Sequence, residues 1–508
     1  MFDNLDALVH GFGVVLTFHH VAIIMGGVLL GILVGVLPGL GAPNGVTLLL
    51  PLTFSMDPVS AIILLTSLYW GALFGGSTTS ILFNIPGEPS SVATTFDGYP
   101  MARNGRATEA LTYAFLSAGF GALVGVVVIT LLSGFVTSFA LRFGPPEYFA
   151  VYLLAFASFI AFGGGAPLKT LVSICLGFGM VGMDTVSGSM RLNFDIPALI
   201  KGISFLVVVI GLFGIGELLL TLEEGLEFKS VRAKLNPVEI LRAATRMPRY
   251  FLAMLRGSAI GVWMGITPGG PTAASFMSYG IARKVSRRRD NFGKGEPEGV
   301  IAPETADHSA GTAAMLPMLA LGIPGSATSA VMLGGLMIWG LNPGPMLFVE
   351  QKDFVWGMIA SMYLGNVIGV VLVLATVPFF AALLSVPFTI IGPIIVTVCL
   401  AGAYTVASSA FDLWIMLAFG VAGYVMKKLD YPIAPLVLAM VIGDKAEDAF
   451  RQSMLLSQGS LGILWSNPLV GTISTIAILF LLWPLAAAFL GWRRAGKSAL
   501  AAGSGSQA

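Results

Sequence analysis

The sequence is poor in charged residues. Only 10% of its 508 residues are charged, 56% are hydrophobic, and the mean hydropathy is +0.88. Soluble domains carry about 25% charged residues, so a chain of this size could not cover its surface in water. Several apolar runs also reach the roughly 20 residues that cross a bilayer: Tyr148–Leu168, Gly202–Leu222 (broken only by Glu217), Phe354–Leu384, Thr389–Ser409 and Leu469–Trp492. The composition predicts an all-α polytopic membrane protein.

Other absences narrow the function. Two cysteines, Cys175 and Cys399, lie far apart in apolar segments, which predicts buried inert thiols rather than a disulfide or a metal pair. With 27 basic and 26 acidic residues there is no bulk charge to attract nucleic acid. No nucleotide-binding loop, catalytic triad or Cys/His cluster is found, so we expect no enzyme, no metal site and no ATP hydrolysis. Met1–His10 lacks the positive segment of a secretory signal.

Thirteen of the 27 basic residues lie in two neighbouring loops: Lys229, Arg232, Lys234, Arg242, Arg246, Arg249 and Arg256, then Arg283, Lys284, Arg287, Arg288, Arg289 and Lys294. The positive-inside bias places both loops in the cytoplasm. Gly257–Ala282, between them, is too short for two spans, which need roughly 40 residues. One span would put the loops on opposite sides. The sequence therefore predicts a re-entrant hairpin with its tip at Pro268-Gly269-Gly270.

Three motifs recur in the same order. Gly31–Gly39 matches Gly261–Gly269 at an offset of 230, Ile85-Pro86-Gly87 recurs at an offset of 238, and Gly121–Gly125 recurs at 244. An ordered set with slowly drifting offsets indicates an internal duplication. We predict two homologous, inverted transmembrane repeats at residues 1–222 and 248–466, joined by a charged cytoplasmic linker at 223–247. A final helix at 467–492 and a polar cytoplasmic tail at 493–508 complete the chain.

Duplicated halves with Gly/Pro-broken segments at matching positions are typical of secondary transporters. Half-helix N-termini suit carboxylates, whereas freed carbonyls and hydroxyls suit Na⁺. The predicted substrate-binding residues are Pro38, Gly39, Asn44, Ser77, Thr78, Thr79, Pro86, Gly87, Pro268, Gly269, Gly270, Thr272, Thr312, Pro324, Gly325 and Ser326. The predicted cation-coupling residues are Asn84, Glu88, Asp307, His308 and Thr328. The alternative for each hydroxyl is a hydrogen bond to its own helix or to a neighbouring helix.

Few ionisable residues accompany the broken segments. Glu88, Asp97, Glu304, Asp307 and His308 are the nearest, and we expect all five near the edges of the hairpins. Ionisable groups at membrane depth are functional by default. His308 has no second ligand in the sequence pattern, so a local hydrogen bond is the alternative to a proton-coupling role.

These motifs resemble those of a known family. The matching stretches are Gly31–Leu40, Tyr69–Gly87, Ala93–Ala102, Ser275–Gly280, Phe292–Gly295, Glu298–Glu304, Pro317–Ala327, Gly402–Tyr404 and Tyr431–Ala439. The chain resembles the large membrane subunit of the tripartite tricarboxylate transporter family. The resemblance implies a permease of the bacterial inner membrane, with a cytoplasmic C-terminus. It also implies two partners, a small four-helix membrane subunit and a periplasmic solute-binding protein.

The resemblance further implies import of citrate-like or other organic carboxylates, driven by Na⁺ or H⁺ without another cofactor. The implied fold is that of the ion-transporter superfamily, with paired re-entrant hairpins and elevator-type movement. Three positions depart from the family pattern: Asp307-His308 replaces Asn-Asn, Gly270-Pro271-Thr272 replaces Ala-Gly-Ala, and Glu88 replaces Thr or Ser. These departures affect the expected substrate. A stand-alone permease, an intramembrane enzyme and a scaffold subunit are the alternatives.

Overall fold

The structure is a computed structural model that describes residues 2–37, 40–162, 166–180, 199, 203–224, 236–267, 270–383, 388–407 and 409–484. Within these residues the fold is helical and contains no strand, as predicted. The helices are α1 Phe2–Val15, α2 Phe18–Val36, α3 Gly41–Leu49, α4 Pro58–Phe83, α5 Val92–Met101, α6 Ala107–Ala140, α7 Pro145–Phe162, α8 Pro167–Gly179, α9 Phe205–Val209, α10 Gly216–Glu224, α11 Pro237–Arg246, α12 Phe251–Ile266, α13 Gly270–Val285, α14 Glu298–Ala313, α15 Met315–Leu321, α16 Ala327–Ile338, α17 Leu347–Glu350, α18 Lys352–Leu383, α19 Phe388–Ala407, α20 Ala410–Lys428, α21 Ile433–Leu456 and α22 Pro468–Pro484.

Six helical stretches of the described chain are long and apolar enough to cross a membrane: Phe18–Val36, Pro58–Phe83, Pro89–Ala140, Phe205–Glu223, Lys352–Phe380 and Ala410–Lys428. They confirm a multi-pass membrane protein. Two of them overlap runs picked out in the sequence. Of the other three runs, the one from Tyr148 is divided between two helices, the one from Thr389 contains α19 Phe388–Ala407, and the one from Leu469 is described only as far as Pro484. In the first of these, α7 ends at Phe162 and α8 begins at Pro167, because proline starts a helix readily but disrupts an interior.

Helices end where the first pair of Pro-Gly motifs was predicted to break them. α2 ends at Val36 and α3 begins at Gly41, whereas α12 ends at Ile266 and α13 begins at Gly270. The residue before a proline is disfavoured in the helical region, which explains why each helix stops short of its motif. Pro38, Gly39, Pro268 and Gly269 themselves lie outside the described residues.

Each helix before a break packs closely on a partner through a ladder of glycines. On α2, a Cβ at Gly27, Gly31 or Gly35 would collide with α4, at the backbone carbonyls of Leu64, Leu68 and Ala72. On α12 the same holds for Gly257, Gly261 and Gly265 against Ala302, Ala306 and Ala310 of α14. Small residues every fourth position let membrane helices approach at backbone distance. α4 and α14 therefore form the centre of the fold.

The two cysteines differ from one another. Cys399 is buried, as predicted, but the prediction of a buried thiol at Cys175 was wrong, because this residue is exposed on α8. Leu168, Leu171 and Val172 of the same helix are exposed as well. An apolar side chain is stable on such a surface in contact with lipid, so hydropathy alone does not distinguish lipid-facing from buried positions. Both thiols are free.

Replacing Gly31 by alanine should destabilise the protein, because the new methyl group would meet the Leu68 carbonyl and force α2 away from α4. Overpacking of this kind costs about 1–3 kcal/mol. Gly26→Ala is the matched control: it lies on the same helix and its Cβ would have no heavy atom within 4 Å. Thermal unfolding in detergent should show a lower midpoint for Gly31→Ala alone. Equal midpoints for the two variants would contradict the close packing.

Candidate functional site

The two Ile-Pro-Gly motifs have the same backbone conformation. α4 ends at Asn84 in the left-handed region (φ 59°), and α15 ends at Gly322 in the same region (φ 68°). After each motif comes a capping box, in which Glu88 pairs with Ser91 and Ser326 pairs with Ser329. Every one of these features recurs 238 residues further along the chain. Two helices are thus interrupted in the same way at matching positions.

The interruptions lie close to one another. A Cβ on Gly41, at the start of α3, would lie 3.6 Å from the Gly87 carbonyl oxygen, and a Cβ on Gly270, at the start of α13, would lie 3.2 Å from that of Gly325. Both Gly41 and Gly270 have positive φ, which glycine adopts without strain. α3 also packs on α16, and α13 packs on the 3₁₀ turn Pro89–Ser91. The broken segments of the two halves therefore meet across the fold.

A cavity of about 730 Å³ opens beside the start of α3 and the first Ile-Pro-Gly motif. Four residues predicted to bind substrate or cation line it: Asn44, Pro86, Gly87 and Glu88. The remaining lining is Leu40, Gly41, Pro43, Pro89, Val92, Phe213, Glu217, Leu220, Ala327, Lys427, Asp430, Tyr431, Pro432, Ile433 and Ala434. Ala327 follows the second Ile-Pro-Gly motif, so both breaks reach this cavity. Its size and mixed polar and apolar walls suit a small organic ligand.

Glu88 occupies the beginning of a half-helix. Its carboxylate accepts the backbone N–H of Ala42 in the first turn of α3. An acidic group at a helix N-terminus satisfies an unpaired N–H and is stabilised by the helix dipole. The matching residue of the second half is Ser326, whose hydroxyl caps α16 and carries no charge. The two Ile-Pro-Gly breaks therefore have the same backbone conformation but differ in charge.

Glu304, Asp307 and His308 form a fully buried cluster on α14. The expectation that they lie near hairpin edges was wrong, because all three sit in the middle of this helix. Their ligand atoms lie within 4.8 Å of one another, since positions i, i+3 and i+4 share a helix face. The Glu304 carboxylate accepts hydrogen bonds from Ser77 (2.7 Å) and Thr94. These three side chains are close enough to share one cation.

Asp307 is the least satisfied member of this cluster. Among the described residues, no donor meets hydrogen-bond geometry with either carboxylate oxygen, and His308 Nε2 also has no partner. The Ser90 hydroxyl is close enough to stabilise the Asp307 charge, but the neighbouring charges are those of Glu304 and Glu88. A buried carboxylate is costly unless a cation or proton balances it. This is the chemistry of a cation-accepting site.

Several predicted site residues make hydrogen bonds within the fold. Thr78 and Thr79 donate to carbonyls of their own helix, which was the alternative considered for them. The Thr312 hydroxyl accepts a hydrogen bond from Trp70 Nε1 at 3.2 Å, and this contact joins the two halves. Thr272 and Asn84 are exposed. Thr328, Pro324 and Gly325 are buried at the second break. Their roles in binding stay predictions.

Asp97 also has a structural role. One of its oxygens accepts the backbone N–H groups of Gly293, Gly295 and Glu296, at 2.8 to 2.9 Å, and the other accepts the Tyr279 hydroxyl at 3.0 Å. It therefore fixes the loop between α13 and α14. A carboxylate with four donors is fully satisfied, in contrast to Asp307.

Sequence reasoning missed two groups of residues near the candidate site. Ser90 and Thr94 lie beside the acidic cluster, and the pair Lys427–Glu217 lines the cavity. Glu217 interrupts an apolar run and Lys427 ends another, so their charge at membrane depth was a usable signal. Their pairing joins residues 210 apart in the sequence, which no local pattern reports.

A multi-pass helical protein whose broken helices meet at a cavity and a buried acidic cluster has the features of a membrane transporter. A profile of the tripartite tricarboxylate transporter TctA family matches residues 21–438. The chain belongs to this family.

Two relatives come from Agrobacterium vitis. The first, an uncharacterized 52.8 kDa protein in the TAR-I ttuC' 3'region, is 35% identical over 481 residues, which are 94% of this chain and 95% of the relative. The second, an uncharacterized protein in the TAR-II ttuC' 3'region, is 33% identical over 223 residues, 44% of this chain and 91% of the relative. No solved structure matches.

Asp307→Asn should stabilise the protein, because it removes a buried carboxylate that faces Glu304 and Glu88 and that no donor in the described chain reaches with hydrogen-bond geometry, while it keeps the shape of the side chain. Relief of such a charge is worth about 1–3 kcal/mol. Thermal unfolding in detergent, without an imposed gradient, should show a higher midpoint. Asp290→Asn, at an exposed aspartate, should leave the midpoint unchanged. A lower midpoint for Asp307→Asn would show that the charged form is needed for the fold.

Proposed function

We propose that the chain is the permease subunit of a secondary transporter that imports organic carboxylates with a small membrane subunit and a periplasmic solute-binding protein. The observation that carries the proposal is the matched pair of helix breaks, which converge on one cavity. Broken helices offer N–H groups to an anion and carbonyls to a cation. Membership of the tripartite tricarboxylate transporter TctA family supports the same class of substrate.

The internal duplication belongs to this proposal. The glycine ladders repeat at an offset of 230, and the Ile-Pro-Gly breaks repeat at 238 together with their left-handed residues and capping boxes. Equivalent packing at the same offsets as the sequence motifs supports two homologous repeats. Their inversion, the re-entrant hairpins and an elevator-type movement are parts of the proposal that follow from membrane topology, with both basic loops and the C-terminus in the cytoplasm.

The coupling ion is proposed to bind at Glu304, Asp307 and His308, with Glu88 nearby. The unpartnered oxygens of Asp307 supply a reason for the site to take up Na⁺ or H⁺. Substrate carboxylates would bind beside Gly325, at the start of α13, because the Glu88 carboxylate already occupies the N-terminus of α3 beside Gly87. A stand-alone permease differs in one respect, since it would transport without a binding protein. Genes for the two partner proteins next to the gene of this chain would favour the tripartite form.

Uptake in proteoliposomes tests the proposal. The wild-type chain, reconstituted with its small membrane subunit and supplied with its binding protein and a radiolabelled carboxylate, should accumulate substrate under an imposed Na⁺ or H⁺ gradient. Absence of accumulation under both gradients would count against secondary transport. Accumulation without the binding protein would favour the stand-alone permease.

Asp307→Asn should uncouple transport from the gradient, because an amide carries no charge to balance the cation. Gradient-driven accumulation should fall by at least about tenfold, while downhill exchange of substrate persists. Asp290→Asn, an exposed aspartate outside the cluster, provides the control. Full accumulation by the Asp307→Asn protein would place the coupling ion elsewhere.

Glu88→Ser should shift substrate preference toward more highly charged carboxylates. The substitution removes the chain's own carboxylate from the N-terminus of α3 and makes the first break match the second, where Ser326 stands. In competition assays the ratio of tricarboxylate to dicarboxylate uptake should rise severalfold relative to wild type. Glu350→Gln, at an exposed carboxylate that is not part of the cavity wall, should leave the ratio unchanged. An unaltered ratio in Glu88→Ser would show that Glu88 does not compete with substrate.

A further inference from the structure

A second cavity, of about 1010 Å³, lies apart from the helix breaks and is lined by the two basic loops. Seven basic side chains surround it: Arg106, Arg246, Arg249, Arg256, Arg287, Arg288 and Lys294. Three acidic residues, Glu109, Glu296 and Glu298, also belong to its wall. The remaining lining includes Tyr113 and Tyr250, whose rings pack edge to face at 5.6 Å. The cavity is strongly basic, whereas the whole chain is nearly neutral.

The acidic and basic groups occupy different depths. The three carboxylates are 4% to 18% exposed, while the arginines paired with them are 36% to 62% exposed. Glu109 accepts hydrogen bonds from Arg106 at 2.7 Å and from Arg246 at 3.4 Å, and Glu298 accepts one from Arg256 at 2.9 Å. The carboxylates therefore lie deeper in the cavity wall and hold the more exposed arginine side chains in place. The surface that a ligand meets is formed by guanidinium groups, which suit bidentate binding of phosphate.

Three of the seven basic groups have no such partner. Within the described chain, Arg249, Arg287 and Lys294 lie beyond ion-pair distance of every carboxylate, and all three are exposed. Like charges gathered in one concave site repel one another unless an anion enters. The pattern favours a ligand with more than one negative oxygen.

Apolar surface continues outward from this basic cavity. Leu252 is part of its wall and is 70% exposed, and Phe251 and Leu255 of the same helix are exposed beside it. α12 then runs toward the centre of the fold along α14. Exposed apolar side chains of a membrane-spanning protein contact lipid, so the acyl chains of a lipid whose head enters the cavity would lie along Phe251, Leu252 and Leu255 without leaving the bilayer. The ligand therefore has an anionic head and an apolar tail.

α11 reinforces this interpretation. Its ten residues separate into a polar face with Glu239, Arg242 and Arg246 and an exposed apolar face with Val238 and Leu241. Ala243 is buried where α11 packs on α6. An amphipathic helix with basic residues on its polar side lies in the plane of the membrane interface. The cavity next to it is consequently at headgroup level.

We propose that this cavity binds the headgroup of an anionic phospholipid in the leaflet that faces the basic loops, with its acyl chains along Phe251, Leu252 and Leu255. The phosphate contacts Arg249, Arg287 and Lys294. The site does not depend on the transport mechanism. Basic residues would also accumulate here for topology alone, so the test must distinguish a built site from general positive charge.

Native mass spectrometry of the purified chain in detergent, titrated with phosphatidylglycerol or phosphatidylcholine, provides that test. The wild type should bind phosphatidylglycerol preferentially. The triple variant Arg249→Gln, Arg287→Gln, Lys294→Gln should lose at least about tenfold in apparent affinity, given the attraction of each basic side chain to anionic lipid. Because the three residues are exposed and unpaired, their removal leaves no buried carboxylate without a partner.

The matched control removes three exposed basic residues from the second basic loop and its preceding helix without touching the cavity wall: Arg283→Gln, Lys284→Gln and Arg289→Gln. Its affinity for phosphatidylglycerol should stay within about twofold of wild type. Equal losses in the two triple variants would overturn the proposal in favour of general surface charge. Equal binding of the two lipids by wild type would also overturn it.

A soluble headgroup separates the two sources of phosphate. Glycerol 3-phosphate should compete only weakly with phosphatidylglycerol, because it cannot cover the apolar face of α12. Leu252→Ser should weaken lipid binding while leaving glycerol 3-phosphate binding unchanged. Glycerol 3-phosphate binding as tight as that of the lipid would overturn the lipid assignment and identify a soluble anion site.

Discussion

The close approach of glycine ladders to backbone carbonyls is the contact on which the rest of the structure depends. The last glycine of each ladder shows why. The Gly35 carbonyl lies against Gly87, and the Gly265 carbonyl lies against Gly325. Each ladder therefore ends beside an Ile-Pro-Gly motif. A side chain anywhere along a ladder would separate the two helices. It would also move the Pro-Gly break that follows the ladder away from the Ile-Pro-Gly break. Because no apolar side chain stands between them, backbone polar groups of the two breaks face one another.

The same helix packing also holds the few buried charged residues of α14 in place. The second glycine ladder packs on α14, so α12 lies against one face of α14 at backbone distance. Glu304, Asp307 and His308 of the same helix are buried as well. Hydroxyl groups of Ser77 and Thr94 donate to Glu304, whereas no donor among the described residues meets hydrogen-bond geometry with Asp307, the nearby Ser90 hydroxyl included. Rigid packing prevents the helix from rotating to expose that charge. A cation or proton that enters is the remaining way to balance it.

Sequence reasoning located the breaks and missed their surroundings, for a physical reason. Pro86 and Pro324 disrupt helices locally, so their effect follows from a few neighbouring residues. The ladder glycines recur every fourth residue, which also made the repeat visible. By contrast, Asp307 looked like a hairpin edge because its neighbours, Ser90 and Glu88, are more than 200 residues away in the chain. Cys175 was misjudged because hydropathy is equal for buried and lipid-facing positions.

The two Ile-Pro-Gly breaks have matching backbone features but different chemistry. Glu88 brings a carboxylate to the start of α3, whereas Ser326 brings only a hydroxyl to the matching position. If both half-helix N-termini were open, they could hold two carboxylates of one substrate. With one already occupied by the chain itself, an anion entering the cavity has one fewer N-terminus to bind and one more negative charge to face. The first Ile-Pro-Gly break therefore carries a carboxylate where the second carries a hydroxyl, although the capping boxes that follow them match.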